Sequence, residues 1–139
     1  MAYITENTQW MSDPISQETK DLIARFYQLA DSKQSDAGHR LATEVFSEDA
    51  LLSTPHGRFN GFTEISKSRD NAWTTVTARK HTVSQVFAGR GDTDELVLFG
   101  AVQMTMDKGG SVDSSFIAHA KLAPGPRFSS LEVYPASRG

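Results

Sequence analysis

The chain has no cysteine. Disulfides, thiolate nucleophiles and cysteine-ligated metals are excluded together, and a reducing compartment, the cytoplasm, is the expected location. Long apolar runs are also missing, and none approaches the roughly 20 residues that a membrane span needs. Residues 1–13 (MAYITENTQWMSD) lack the charged start and apolar stretch of a signal peptide. There is no lysine or arginine run. With 14 basic against 17 acidic residues the net charge is −3, which argues against a nucleic-acid partner. The four histidines are scattered with no H-x-x-x-H pair, so no metal site is expected. The glycine-rich stretches at 89–91 and 109–110 are not followed by helical patterns and are not phosphate loops. Arg90-Gly91-Asp92 reads as an ordinary hairpin turn.

What is present fits one globular domain. The 139 residues are enough for a genuine core, with 38% hydrophobic and 22% charged residues. Residues 1–13 show no periodicity and are expected to form a flexible arm, although Trp10 and Met11 could dock on the body. The domain is expected to span 14–139. Asp13-Pro14 reads as a helix start, with Asp as N-cap and Pro in the first turn. Leu22, Ile23, Phe26, Leu29 and Ala30 then recur at helical spacing. Asp36 is placed to cap a second helix whose apolar face holds Leu41, Ala42, Val45 and Phe46. Asp49–Thr54 reads as a strand ended by Pro55-His56-Gly57. Gly61 onward opens a third helix with Thr63 as a cap and Ile65, Arg69, Ala72 and Trp73 along it.

The period then changes from helical to two. Residues 80–88 (KHTVSQVFA) place His81, Val83, Gln85 and Phe87 on one face. Residues 95–106 start apolar on both faces, as a central strand does. Residues 112–122 and 127–134 complete a meander, with turns at 107–110 and 124–126. Helices followed by antiparallel strands make an α+β pattern.

That order, with the stretches F-S-E-D-A-x-L (46–52) and P-x-G…G-F-x-E-I (55–65), resembles the NTF2-like superfamily. The likeness is greatest to its SnoaL-like branch, which includes polyketide cyclases, scytalone dehydratase and fungal natural-product isomerases. It covers roughly residues 15–135. The resemblance implies a cone: three N-terminal helices packed on a curved antiparallel sheet, enclosing a pocket for a small hydrophobic molecule. Ketosteroid isomerases of this fold carry a catalytic acid just before the Pro-x-Gly, where this chain has Thr54, and a second near Ala118. Ketosteroid isomerisation by that machinery is therefore not expected. Their helix-1 tyrosine falls near Phe26 or Tyr27, so the resemblance gives that role to Tyr27. Scytalone dehydratase has an aspartate at the end of its first helix and a histidine opening the strand after the third. Asp31 (A-D-S-K) and His81 (A-R-K-H-T-V) match those positions. Its second histidine would fall near Met104–Met106, where none stands.

The candidate catalytic pair is thus His81 and Asp31. A histidine titrates near neutrality and can take and return a proton without a cofactor, and none is implied. A carboxylate beside it fixes its tautomer. Tyr27 is placed to hydrogen-bond a substrate oxygen. Trp73, Phe99, Met104 and Phe116 are read as core residues that also wall the pocket. His119 and Glu132 are further candidates for substrate contact. Each has a competing strand parity, which points it instead at a dimer partner or solvent. The exposed sheet face would otherwise be a large apolar patch, so a homodimer is expected. Two functions fit. One is a cofactor-independent enzyme of secondary metabolism that isomerises, cyclises or dehydrates a polycyclic intermediate. The other is a non-catalytic module that binds a small ligand or dimerises. An adaptor for transport, like the founding family member, is the third and least supported.

Overall fold

The computed structural model describes residues 2–12, 15–89 and 94–136. In chain order it has a 3-10 turn (Ala2–Ile4), β1 (Gln9–Trp10), α1 (Gln17–Ala30), α2 (Ala37–Arg40) running into a π turn (Leu41–Val45), β2 (Phe46–Thr54) and β3 (Gly57–Asn60). These are followed by α3 (Gly61–Ser66), β4 (Val76–Ala88), β5 (Glu95–Met106), β6 (Ser111–Ala123) and β7 (Arg127–Pro135). The class is α+β. One seven-stranded sheet runs in the order β1-β4-β5-β6-β7-β2-β3. Strands β4 to β7 form the expected antiparallel meander, but the sheet is mixed: β2 pairs with β7 in parallel and β1 with β4 in parallel. Among the described residues no helix is long and apolar enough to cross a membrane.

Helix α1 follows from its sequence, but it starts later than expected. Asp13 and Pro14 lie outside the described residues. The cap is Ser16, whose Oγ accepts from the Thr19 backbone N–H at 3.1 Å. Leu22, Ile23, Phe26, Leu29 and Ala30 all turn inward. The other two helices are shorter than their periodicity predicts. The second joins α2 to a π turn and ends at Val45, so that Phe46 opens a strand instead of extending a helical face. The third stops at Ser66, and residues 67–73 continue as turns. Thr63 is not its cap. Asn60 occupies that position, and the Glu64 carboxylate, one residue beyond the capping-box position, accepts from the Asn60 backbone N–H at 2.8 Å.

The N-terminal segment is laid on the body and is not a free arm. Ile4 is buried, Gln9 and Trp10 pair with Gln85 and Val86, and the Met11 N–H donates to Val86 O at 2.8 Å. The hairpin expected at 89–92 lies mostly among residues outside the description. Its inner rung is present, with the Gly89 N–H donating to Glu95 O at 2.8 Å.

The concave face of the sheet and the helices share one core. Phe26, Phe46 and Phe128 meet mostly edge-to-face at its centre, with centroids 5.9 to 6.2 Å apart. Burying rings of this size stabilises by about 1.5–3 kcal/mol each. These rings are the aromatic centre of that core.

Candidate active site

Asp31 is the residue that follows α1, and its backbone N–H makes a last helical hydrogen bond to Tyr27 O at 2.9 Å. A carboxylate at the C-terminal end of a helix faces the negative end of the dipole, so helix stability does not account for it. Three donors hold it instead. The Tyr3 hydroxyl donates to Oδ2 at 2.7 Å, the His81 backbone N–H donates to Oδ2 at 2.8 Å, and His81 Nδ1 lies 2.6 Å from Oδ1. The side chains of Asp31 and His81 are only 5% and 16% exposed. With Asp31 ionised, the Nδ1 contact requires a proton on Nδ1. The neutral imidazole then keeps its lone pair on Nε2.

His81 reaches this place because β4 enters the sheet beside the end of α1. It pairs with Val102 in register and points to the concave face. Its ring lies against Tyr27, with centroids 5.0 Å apart, and Phe116, at 5.8 Å. The Tyr27 hydroxyl is buried with no hydrogen-bond partner among the described residues. Burial, and then the Asp31 charge, push its ionisation above the usual phenol range, so it is a neutral donor at any ordinary pH. The same forces raise Tyr3, with its hydrogen bond to Asp31 adding to them.

Two arginines border the pair. Arg69, on the turns after α3, donates from Nη2 to Ala30 O at 2.6 Å and so covers the negative end of α1. Arg79 stands two residues before His81 on the same face, with its guanidinium 4.8 Å from the Trp73 ring centroid and Nη2 3.8 Å from Met104 Sδ. Trp73 is fixed by its indole N–H, which donates to Ser32 O at 3.1 Å.

The structure thus brings together Asp31, His81, Tyr27, Trp73, Met104 and Phe116. It does not bring in Phe99, His119 or Glu132. Phe99 packs on Phe87 across the outer face, His119 Nε2 lies 2.7 Å from a Glu95 carboxylate oxygen, and Glu132 accepts from the Tyr134 hydroxyl at 2.8 Å. Strand parity is the reason. His119 and Glu132 are cross-strand partners on the face opposite Ala118 and Ala120, and Phe99 lies on the same outer side. A bulge between Val83 and Gln85 also turns Gln85 and Phe87 outward and Val86 inward, so the expected face His81–Val83–Gln85–Phe87 is broken halfway.

Two members were not anticipated. Arg79 was legible in principle, since it shares His81's parity. Tyr3 carried no local signal, because its contact spans 28 residues of chain. A cleft of about 450 Å³, lined by Glu18, Thr19, Asp94, Leu122 and residues 123–126, opens elsewhere. It lies near the start of α1, roughly 20 Å from Asp31 by helix rise, and contains none of these groups.

Compared with solved structures, the chain is similar to an NTF2-like protein of unknown function from Exiguobacterium sp. 255-15. The TM-score is 0.70 at 16% identity, over 84% of this chain and 99% of that one. The fold is NTF2-like. A type 2 hexachlorocyclohexane dehydrochlorinase shares this NTF2-like fold at TM-score 0.66 and 15% identity, over 86% of each chain. An isomerase candidate of the SnoaL-like family from Agrobacterium tumefaciens matches at TM-score 0.66 and 9% identity, over 88% of this chain and 100% of that one. No family model matches the sequence, and no curated protein matches it. The NTF2-like likeness is therefore one of structure at low identity, and it carries the fold without the reaction.

Proposed function

We propose that this chain is a cofactor-independent enzyme that moves a proton on a hydrophobic, polycyclic intermediate of secondary metabolism, in an isomerisation, cyclisation or dehydration. The observation that carries this reading is the Asp31–His81 contact of 2.6 Å inside a largely enclosed site. His81 Nε2 would accept a proton from a substrate carbon, and Asp31 would stabilise the imidazolium that forms. The Tyr27 hydroxyl would donate to the substrate oxygen that gains charge. Returning the proton to another carbon completes an isomerisation. In a cyclisation the carbanion instead attacks a carbonyl carbon of the same molecule, and the imidazolium returns the proton to the alkoxide oxygen so formed. Giving the proton to a leaving hydroxyl completes a dehydration as water. The dehydrochlorinase and the SnoaL-like isomerase candidate are neighbours in fold whose names fit proton-transfer chemistry.

The test is turnover against a panel of aromatic polyketide and terpenoid intermediates. His81→Ala is expected to lose about 10²–10⁴-fold in kcat/KM while keeping the wild-type circular dichroism spectrum. Full activity in that variant would remove the assignment.

A second reading is a non-catalytic binding or dimerisation module; what favours it is that Asp31 grips both the backbone N–H and the ring of His81, a contact that also fastens β4 to the end of α1. Ligand binding without turnover, unchanged in His81→Ala, would select it. For either reading we propose a homodimer through the outer sheet face, where Phe87, Val97, Phe99, Ile117 and Tyr134 reach solvent to varying degrees.

A further inference from the structure

Arg69 and Arg79 carry more cationic hydrogen-bonding capacity than the fold uses. Arg69 spends Nη2 on Ala30 O, but its Nε–H is buried with no partner among the described residues. Arg79 rests one amino group against a thioether, a weak acceptor, and its buried Nη1 is likewise without a partner. Neither guanidinium forms an ion pair among the described residues. Asp31, the carboxylate whose charge reaches both, is already occupied by the Tyr3 hydroxyl, the His81 backbone and His81 Nδ1. Counting two guanidinium charges against one carboxylate, with His81 neutral, leaves a net charge of about +1 in a low-dielectric setting. The two arginines also repel: after burial, the Arg79 charge is the next cause that lowers the Arg69 guanidinium, to about 10. Retaining two like charges there costs stability, and an unpaired buried N–H adds to it.

A bound anion relieves each of these penalties. We propose that Arg69 and Arg79 form an anion-binding pair, and that the ligand of the Asp31–His81 site carries a carboxylate. The Nε–H of Arg69 and the Nη1 amino group of Arg79 are left to meet its two oxygens, and arginine–carboxylate pairing is among the strongest charge-assisted contacts. Arg79 and His81 lie two residues apart on one strand face, so their positions along it differ by about 7 Å. A carboxylate held by the arginines would thus leave a carbon a few bonds away within reach of Nε2. Trp73 carries the Arg79 guanidinium 4.8 Å and Lys33 Nζ 5.3 Å from its ring centroid, so a further cation stands beside the arginines. This assignment deepens the proton-transfer reading and rests on it for the placement of the reacting carbon, but the binding itself can be measured separately.

The experiment titrates ¹⁵N-labelled protein with naphthoate and, in parallel, with its neutral methyl ester, and follows the arginine Nε–H resonances at neutral pH. Naphthoate is expected to shift the Arg69 and Arg79 signals and to bind roughly tenfold or more tightly than the ester, the value of one charge-assisted hydrogen bond. Arg79→Met should remove that preference. Arg69→Met should do the same, but it also uncovers the end of α1, so Arg79→Met, which touches no backbone group, is the deciding variant. In His81→Ala the preference for the acid should persist. That result separates the two ideas, because loss of turnover with retained acid preference supports both, and retained turnover with retained preference overturns only the catalytic role. Equal binding of acid and ester, binding of neither up to solubility, or a preference that survives Arg79→Met overturns the anion-binding pair.

Discussion

Tyr27 carries a hydroxyl that the folded chain does not satisfy, and removing it should have opposite effects on stability and activity. Tyr27→Phe is expected to leave stability unchanged or raise it by about 1 kcal/mol, since an unpaired buried hydroxyl is lost. If the hydroxyl holds a substrate oxygen, turnover should fall about tenfold. Thermal unfolding and steady-state kinetics on the same preparation check both, and a variant that is less stable or fully active takes Tyr27 out of the site. Asp31 should behave in the reverse sense. Asp31→Ala strands three donors and leaves Arg69 and Arg79 without their nearby carboxylate, at a cost of about 3 kcal/mol in urea unfolding. Both phenols ionise above the usual 10.0 in the folded chain, so the unfolded state loses its protons first and stability falls as pH rises past that value. Arg69, lowered to about 10, works in the opposite direction over the same alkaline range. Tyr27→Phe should therefore flatten the alkaline decline, and stability measured from neutral pH upward tests it.

The elements are joined at points too close to admit a side chain. A Cβ on Gly100 would collide with Thr82 O and come within 2.6 Å of Phe116 Cζ. The first contact is backbone and cannot yield, so Gly100→Ala must move β4 from β5 or displace the ring. We expect about 1–3 kcal/mol of destabilisation, the usual cost of overpacking. Phe116 rests on both Tyr27 and His81, so the His81 ring resonances should shift as well. Unchanged stability together with unchanged His81 resonances would show that this junction does not position the site.

For the whole molecule, the proposed dimer rests on the outer sheet face. Phe87 and Phe99 meet there edge-to-face 5.8 Å apart, and Tyr134 is 50% exposed. Polar pairs, His119 with Glu95 and Tyr134 with Glu132, stand on the same face beside these rings, a mixture that a contact between two copies can use. Light scattering after size exclusion should give twice the chain mass, and Phe99→Glu should return it to a monomer. A wild-type chain that is monomeric at all workable concentrations would end the proposal.

Some of this was decided locally and some was not. The spacing of Leu22, Ile23, Phe26 and Leu29 dictates α1, and the alternation after residue 80 dictates the meander, because burial on one face imposes a period that a sequence displays directly. The α+β class and the Asp31 and His81 candidates follow from that order and from the family resemblance it carries. What the sequence could not decide depends on contacts between distant segments. A bulge after Val83 reverses the parity of Gln85 and Phe87, and one extra residue leaves no mark on composition. Tyr3 and Arg69 acquire meaning only when the N-terminal segment and the turns after α3 converge on the end of α1, 28 and 39 residues away in sequence. Whether His119 and Glu132 face the core or the outside was open until pairing fixed the register of β6 and β7. Local periodicity reports which face is apolar, and only tertiary packing determines what that face is pressed against.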